Sequence, residues 1–281
     1  MNIQIKKQDL ALIGAIAVFV LTTIVACQVL YPSATSLVLQ GVSLIIIISV
    51  LLELYRRTTI EIVEKHRESE YQRRNDYRQM EATFSLFFTI KPSLPLPSMR
   101  GWAASPDFLK RITEIVLSEK PTIVLEASSG VSTLMIAYAL RRLGRGKVIS
   151  LEHDPHYATV TQALVSFHGL DETATILYAP LKSVEIKGET WLWYDTEKLL
   201  LEEPVDLLVI DGPPAAVQKL SRYPALPVLY TKLRQNSTVV MDDGLRDDEQ
   251  EIAAMWLAEF SDMESEFLQL EKGAFVFRKT G

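Results

Sequence analysis

Five short apolar segments, most of them followed by a helical pattern, constrain the fold of this chain more than any other feature. They are Thr122–Glu126, Lys147–Glu152, Ala174–Tyr178, Val205–Ile210 and Ser237–Met241. The fourth is almost wholly apolar, as expected of a parallel strand covered on both faces. A helix is predicted over about Ala216–Arg234, before the fifth, and a hairpin pattern over 267–277 follows. Together they predict an α/β fold with a doubly wound, mostly parallel, Rossmann-like sheet of seven strands.

The N-terminal segment has a different character, because no charged residue occurs between Leu10 and Leu52. About 20 helical residues cross a bilayer, so this run is too long for one span, and the turn around Pro32 divides it. We expect a two-helix transmembrane anchor over residues 1–54, with spans near 10–30 and 37–54. Basic residues at both ends predict that both termini are cytoplasmic. A cleaved signal peptide is the disfavoured alternative, since a second apolar stretch follows at once.

The next segments predict a stalk and a linker. Residues 55–82 carry seven basic and six acidic side chains without glycine or proline, which is typical of a solvated helix. We therefore predict a charged helical stalk over 55–90, either a simple spacer or a coiled coil that forms a homo-oligomer. Three prolines within Lys91–Pro97 predict a proline-rich linker over 91–101. The remaining residues, 102–281, are predicted to form one domain.

Composition excludes several classes of function. A net charge of -6 argues against a nucleic-acid partner, because phosphate contacts need a basic face. The single cysteine, Cys27, excludes an intrachain disulfide and a paired-cysteine metal site.

Acidic side chains end four of the five predicted parallel strands. Glu126, Glu152 and Asp211 follow the first, second and fourth strands, and Asp242 and Asp243 follow the fifth. The carboxyl ends of parallel strands meet at one edge of a sheet, where ligands bind near the reversal of strand order. A turn of small residues enters a helix after the first strand, so a ligand can approach its backbone N–H groups. The sequence therefore predicts a ligand site at this edge.

These strand ends resemble the class I S-adenosylmethionine-dependent methyltransferases, most closely those related to macrocin O-methyltransferase and, more distantly, catechol O-methyltransferase. The resemblance rests on Val124–Thr133, Leu151–Pro155, Ala179–Leu181, Val209–Pro214 and Val240–Arg246. It implies S-adenosylmethionine as cofactor, with its methionine part over the first strand end, its ribose on Glu152 and its adenine beside Ala179. The cofactor-binding residues implied are Glu126, Ser128, Gly130, Ser132, Glu152, His153, Ala179, Pro180, Leu181 and Asp211. Ser128 departs from the family, which usually has glycine there, and a strained φ is expected to cost about 1 kcal/mol.

The same resemblance implies catalytic roles for Asp211 and Asp242, and a Mg²⁺ site formed by Asp211, Asp242 and Asp243. Oxygen ligands suit a hard cation, which would lower the pKa of an acceptor hydroxyl. A helix cap is the alternative role for the adjacent aspartates. The function expected is O-methylation of a small-molecule, sugar or lipid-linked hydroxyl by an enzyme anchored in a bacterial plasma membrane. The alternative is a catalytically degenerate scaffold or cofactor-binding protein at the membrane.

Overall fold

The computed structural model describes residues 18–26, 28–29 and 35–280. The chain divides into two compact units between Arg73 and Arg74. Cys27 and residues 10–17 of the first predicted span lie outside the described residues.

The first unit is helical where it is described. Residues 18–26 and 28–29 are helical, and a long helix, α1 (Thr35–Ile90), begins in the apolar segment. It runs without a break into the charged segment, where Glu53 pairs with Arg56 at 2.9 Å and with Arg57 at 2.8 Å. The second predicted span is thus the start of a longer helix, which continues into the charged segment, rather than a separate element.

Within residues 18–26, 28–29 and 35–280, no helix combines the length and the apolar composition needed to cross a membrane. This finding contradicts the predicted integral membrane protein with two spans, and the predicted bilayer anchor is not supported. The predicted stalk does form a helix, which ends at Ile90.

The second unit begins inside α1, earlier than the domain predicted to start at residue 102. Leu86 and Ile90 of α1 are buried in the same apolar cluster as Phe108. The side chain of Gln79 accepts a hydrogen bond from the backbone N–H of Asp107 at 3.1 Å. The last turns of α1 and residues 91–101 therefore belong to the compact unit.

One mixed sheet forms the centre of this unit, as predicted. Its strands, with an additional hairpin, are β1 (Ile123–Ala127), β2 (Lys147–Glu152), β3 (Ala174–Tyr178), β4 (Leu181–Ile186), β5 (Glu189–Tyr194), β6 (Val205–Ile210), β7 (Leu233–Asp242), β8 (Met263–Leu268) and β9 (Ala274–Lys279). The seven-stranded sheet has the order β3-β2-β1-β6-β7-β9-β8, and only the pairs formed by β9 are antiparallel. Strand order reverses between β1 and β6, so a crevice opens there at the carboxyl edge.

Helices cover the sheet. They are α2 (Pro106–Glu119), α3 (Val131–Leu143), α4 (Pro155–Phe167), α5 (Ala225–Leu229) and α6 (Asp247–Glu259). The start of α4 follows local chemistry: Asp154 accepts a hydrogen bond from the N–H of His156 at 2.8 Å, and Pro155 occupies the first turn. Every residue of β1 is buried between the helical layers, which explains its uniformly apolar pattern apart from Glu126.

One segment differs from the sequence prediction, and another contains strands that the prediction did not include. The segment predicted as a helix over 216–234 contains only the five-residue α5, with turns before it and a 3₁₀ turn, Tyr230–Lys232, after it. The aromatic segment before β6 forms an antiparallel hairpin, β4–β5, outside the main sheet. Its Trp193 and Tyr194 are buried.

Candidate active site

Backbone hydrogen bonds hold the predicted strand ends together at the carboxyl edge. The N–H of Ser128 donates to the carbonyl of Leu151 at 3.0 Å, and that of Asp211 donates to Ala127 at 3.1 Å. The ends of β2, β1 and β6 are thereby joined in spatial order. The structure thus places the carboxyl-bearing ends of these three strands side by side, on both sides of the crevice.

Glu126 is fully buried and only half satisfied. Its Oε2 accepts hydrogen bonds from Ser150 at 2.5 Å and Thr133 at 2.6 Å. Its Oε1 has no hydrogen-bond partner among the described residues. Burial raises the pKa of Glu126 to about 7. A buried acceptor without a donor is costly, so a cationic donor from a ligand would satisfy this oxygen and favour the ionised carboxylate.

The loop after β1 is strained at Ser128. Its φ of 124° lies in the region that glycine favours, as does the φ of 151° at Gly130. A non-glycine residue in such a region costs about 1–3 kcal/mol, which agrees with the strain expected for Ser128. Gly130 precedes α3, whose first residues include the buried Ser132. The helix N-terminus therefore lies beside Glu126, where its N–H groups favour an anionic or polar ligand.

Glu152 ends β2 as an ionised, hydrogen-bonded carboxylate. Ser129 donates to its Oε2 at 2.8 Å, and the N–H of Asp154 donates to its Oε1 at 3.0 Å. Burial raises its pKa, but the nearby His153 ring, 3.2 Å from Oε1, and the hydrogen bonds from Asp154 and Ser129 outweigh that effect and lower it overall. The carbonyl of Glu152 also accepts from the N–H of Ala179 at 2.7 Å. This bond brings the Ala179–Leu181 segment next to the predicted ribose-binding carboxylate.

Tyr194, at the end of β5, lies over the crevice. Its buried hydroxyl has no partner among the described residues. A methyl group added to Gly212 would overlap this hydroxyl and would lie 3.2 Å from the Cβ of Ser128. Burial raises the pKa of Tyr194 well above its usual value, with a further contribution from Glu152, so the hydroxyl stays protonated.

The remaining predicted residues form a carboxylate cluster around an arginine. Asp211, Asp242 and Asp243 each offer an oxygen, and these oxygens lie within 4.8 Å of one another. Arg222 is buried among them: its Nη2 is 3.2 Å from Asp211 and 2.6 Å from Asp243. Sequence reasoning missed Arg222, because it lies in a segment predicted as a surface-covering helix.

Comparison with known proteins agrees with this geometry. Residues 127–244 match the family model described as a methyltransferase domain. The chain has the class I methyltransferase fold. The family match supports the predicted enzyme class, a methyltransferase dependent on S-adenosylmethionine, and the structural likeness shows the fold.

Three solved structures illustrate the likeness. An O-methyltransferase from Bacillus cereus in complex with S-adenosylhomocysteine is 14% identical, with a TM-score of 0.50 over 71% of this chain and 91% of its own. The S-adenosylhomocysteine-bound methyltransferase PaMTH1 of Podospora anserina is 14% identical, with a TM-score of 0.52 over 75% and 96%. A putative O-methyltransferase from Klebsiella pneumoniae is 16% identical, with a TM-score of 0.51 over 74% and 96%. No curated protein matches the sequence.

The acidic cluster of the methyltransferase domain contains two carboxyls with raised pKa values. Burial raises the pKa of Asp211 to about 6 against the opposing effect of Arg222. Burial also raises the pKa of Asp242 well above its usual value, with Asp211 contributing. Asp211 retains 15% of its side-chain exposure, so it is a carboxylate that a ligand can reach.

The donor set does not fit the predicted Mg²⁺ while Arg222 is in place. The Nη2 group engages one oxygen of Asp211 and one of Asp243, and its positive charge opposes a second cation at the cluster, although both carboxylate oxygens of Asp242 lack a partner among the described residues. Arg246 adds a second positive charge, 2.9 Å from Asp243. Methyl transfer at this site is therefore described without a metal ion.

Proposed function

We propose that the chain transfers the methyl group of S-adenosylmethionine to a hydroxyl of a small molecule or a sugar. The observation that carries this proposal is the grouping of Glu126, Glu152 and Asp211 at the reversal of strand order. Core packing does not account for three acidic strand ends in one crevice, whereas a polar, cationic cofactor does.

The contacts expected for the cofactor follow from which hydrogen-bonding atoms of the strand-end carboxylates have no partner in the structure. The free Oε1 of Glu126 would accept a hydrogen bond from the ammonium of the methionine part. Glu152 would accept the ribose hydroxyls, and the apolar edge beginning at Ala179 would face the adenine. The cofactor supplies an electrophilic methyl group on a positively charged sulfur.

Asp211 would act on the acceptor. A hydroxyl becomes a better nucleophile as its proton is removed, and a base with a pKa of about 6 is ionised at neutral pH. Arg222 donates to one oxygen of Asp211 and so holds the orientation of this carboxylate. Alignment of acceptor and methyl group in the crevice supplies much of the remaining rate.

Calorimetric titration of S-adenosylhomocysteine into the full chain tests the cofactor site. We expect saturable binding that is lost or strongly weakened in Glu152→Ala and unchanged in Glu172→Ala, an exposed carboxylate just before β3. Absence of binding by the folded chain would overturn the proposal.

A second candidate, a scaffold that binds cofactor without turnover, is favoured by the strained Ser128 and by Tyr194 over the crevice. Release of S-adenosylhomocysteine from S-adenosylmethionine in the presence of catechols or sugars separates the two. If the chain is an enzyme, the release of S-adenosylhomocysteine will depend on the acceptor, and the Asp211→Asn variant will lose this release but still bind the cofactor. If the chain is a scaffold, it will bind the cofactor but release no S-adenosylhomocysteine with any acceptor.

A further inference from the structure

Arg222 is one of the most completely enclosed charges in the described part of the chain. Its guanidinium side chain is 3% exposed. Besides its two aspartate partners, it donates through Nη1 to the carbonyl of Asp242 at 2.7 Å and through Nη2 to that of Asp211 at 3.1 Å. Its Nε lies 3.5 Å from Glu249. Burying an unpaired guanidinium would be prohibitive, so these partners account for its position.

The chain on both sides of Arg222 is also fixed. Ser221 donates to the carbonyl of Pro213 at 2.9 Å, and Trp256 donates to the carbonyl of Tyr223 at 2.9 Å. Backbone carbonyls therefore hold the guanidinium, and side-chain bonds hold its neighbours. An arginine anchored in this way does not move aside without breaking buried hydrogen bonds.

We propose that Arg222 takes the place of a divalent cation in this acidic cluster, so that the site works without bound metal. The Nη2 group already engages one oxygen of Asp211 and one of Asp243, so a metal ion bridging these carboxylates would compete with a fixed positive charge for them. Both carboxylate oxygens of Asp242 have no hydrogen-bond partner among the described residues, but the guanidinium also contacts the carbonyl of Asp242, so its charge would repel a dication held there. Arg222 is then a positioning residue that orients Asp211 and neutralises the cluster.

This inference predicts the metal-binding behaviour of the full chain and does not depend on methyl transfer. Mn²⁺ is the probe, because its free and bound forms are distinguished by electron paramagnetic resonance. The wild-type chain is expected to bind no Mn²⁺ at micromolar concentrations, and its unfolding temperature is expected to be the same in EDTA and in Mn²⁺. One tightly bound Mn²⁺ per wild-type chain, lost in Asp242→Asn, would overturn the proposal.

Arg222→Met is the decisive variant, since it removes the cation and leaves the carboxylates. We expect this variant to gain one Mn²⁺ site. At a Mn²⁺ concentration a hundredfold above the dissociation constant of that site, its unfolding temperature should be roughly 5–10 °C higher than in EDTA. Arg246→Met is the matched control: it also removes a positive charge next to Asp243 but leaves Arg222, so it should gain no site. A folded Arg222→Met chain that binds no Mn²⁺ would contradict the inference. Should this variant fold in neither buffer, the wild-type titration alone decides.

Discussion

Replacing Glu126 by glutamine is expected to stabilise the domain at the expense of cofactor binding. The carboxylate is fully buried, and burial raises its pKa from the ordinary 4.5 to about 7. The folded chain therefore binds this proton more tightly than the unfolded chain. The contribution of Glu126 to stability is present below pH 4.5 and is lost as the pH rises through about 7.

The magnitude follows from that shift. A shift of one pKa unit corresponds to about 1.4 kcal/mol, so ionising Glu126 at pH 8 costs the folded state roughly 3 kcal/mol. Glutamine avoids this cost, because its amide oxygen can accept the hydrogen bonds that Ser150 and Thr133 now donate to Oε2. We expect Glu126→Gln to raise the free energy of unfolding by roughly 2–4 kcal/mol at pH 8 and by almost nothing at pH 4.5.

Urea unfolding followed by tryptophan fluorescence measures this difference, since all four tryptophans lie beyond residue 101 and report on the second unit. Glu264→Gln, on the exposed part of β8, is the control and should change the free energy of unfolding by less than about 0.5 kcal/mol. The same Glu126→Gln chain should bind S-adenosylhomocysteine roughly tenfold to a hundredfold more weakly. A stability difference between wild type and variant that does not vary with pH would refute the reasoning.

Three further changes test the neighbouring parts of the site. Ser128→Gly relieves the strained φ of 124° and should raise the free energy of unfolding by about 1 kcal/mol in the same urea assay, whereas a loss of stability would show that the serine is unstrained. Gly212→Ala should destabilise by about 1–3 kcal/mol because its methyl group meets the Tyr194 hydroxyl, and Tyr194→Phe should restore most of that loss. Methyl transfer should increase with pH through about 6 as Asp211 ionises, and Asp211→Asn should lower kcat roughly a hundredfold or more and remove this dependence.

Much of the fold could be predicted from the sequence, because its signals are local. The apolar run Val205–Ile210 and the cap formed by Asp154 each reflect interactions within a few residues. The seven-stranded sheet follows from repeated units of this kind and from the handedness of their connections. The grouping of acidic residues at the strand ends could also be predicted from the sequence, because the carboxyl ends of parallel strands lie at the same edge of a sheet.

The sequence pattern gave wrong predictions where the structure of a segment depends on tertiary contacts rather than on its own helix propensity or hydropathy. The uncharged run 10–52 predicted membrane spans. In the structure, the second half of this run is the beginning of one helix that continues through the charged segment to Ile90. Arg222 lies in a segment predicted as a helix, and its partners lie 11 to 27 positions away along the chain, at Asp211, Asp243 and Glu249. Only the folded chain reveals that this arginine, rather than empty space, lies between the aspartates.

The sequence by itself therefore determined the strands of the main sheet, most of its helices and the acidic residues that end the strands. The tertiary structure decided which of those carboxyl groups have hydrogen-bond partners, which have a raised pKa and which are paired with the buried Arg222. The reason is physical: secondary structure depends on periodicity and capping, whereas the state of a carboxyl depends on burial and on partners brought from distant segments. Glu126 and Asp243 are both acidic strand-end residues in the sequence, yet one keeps a free oxygen and the other binds Arg222.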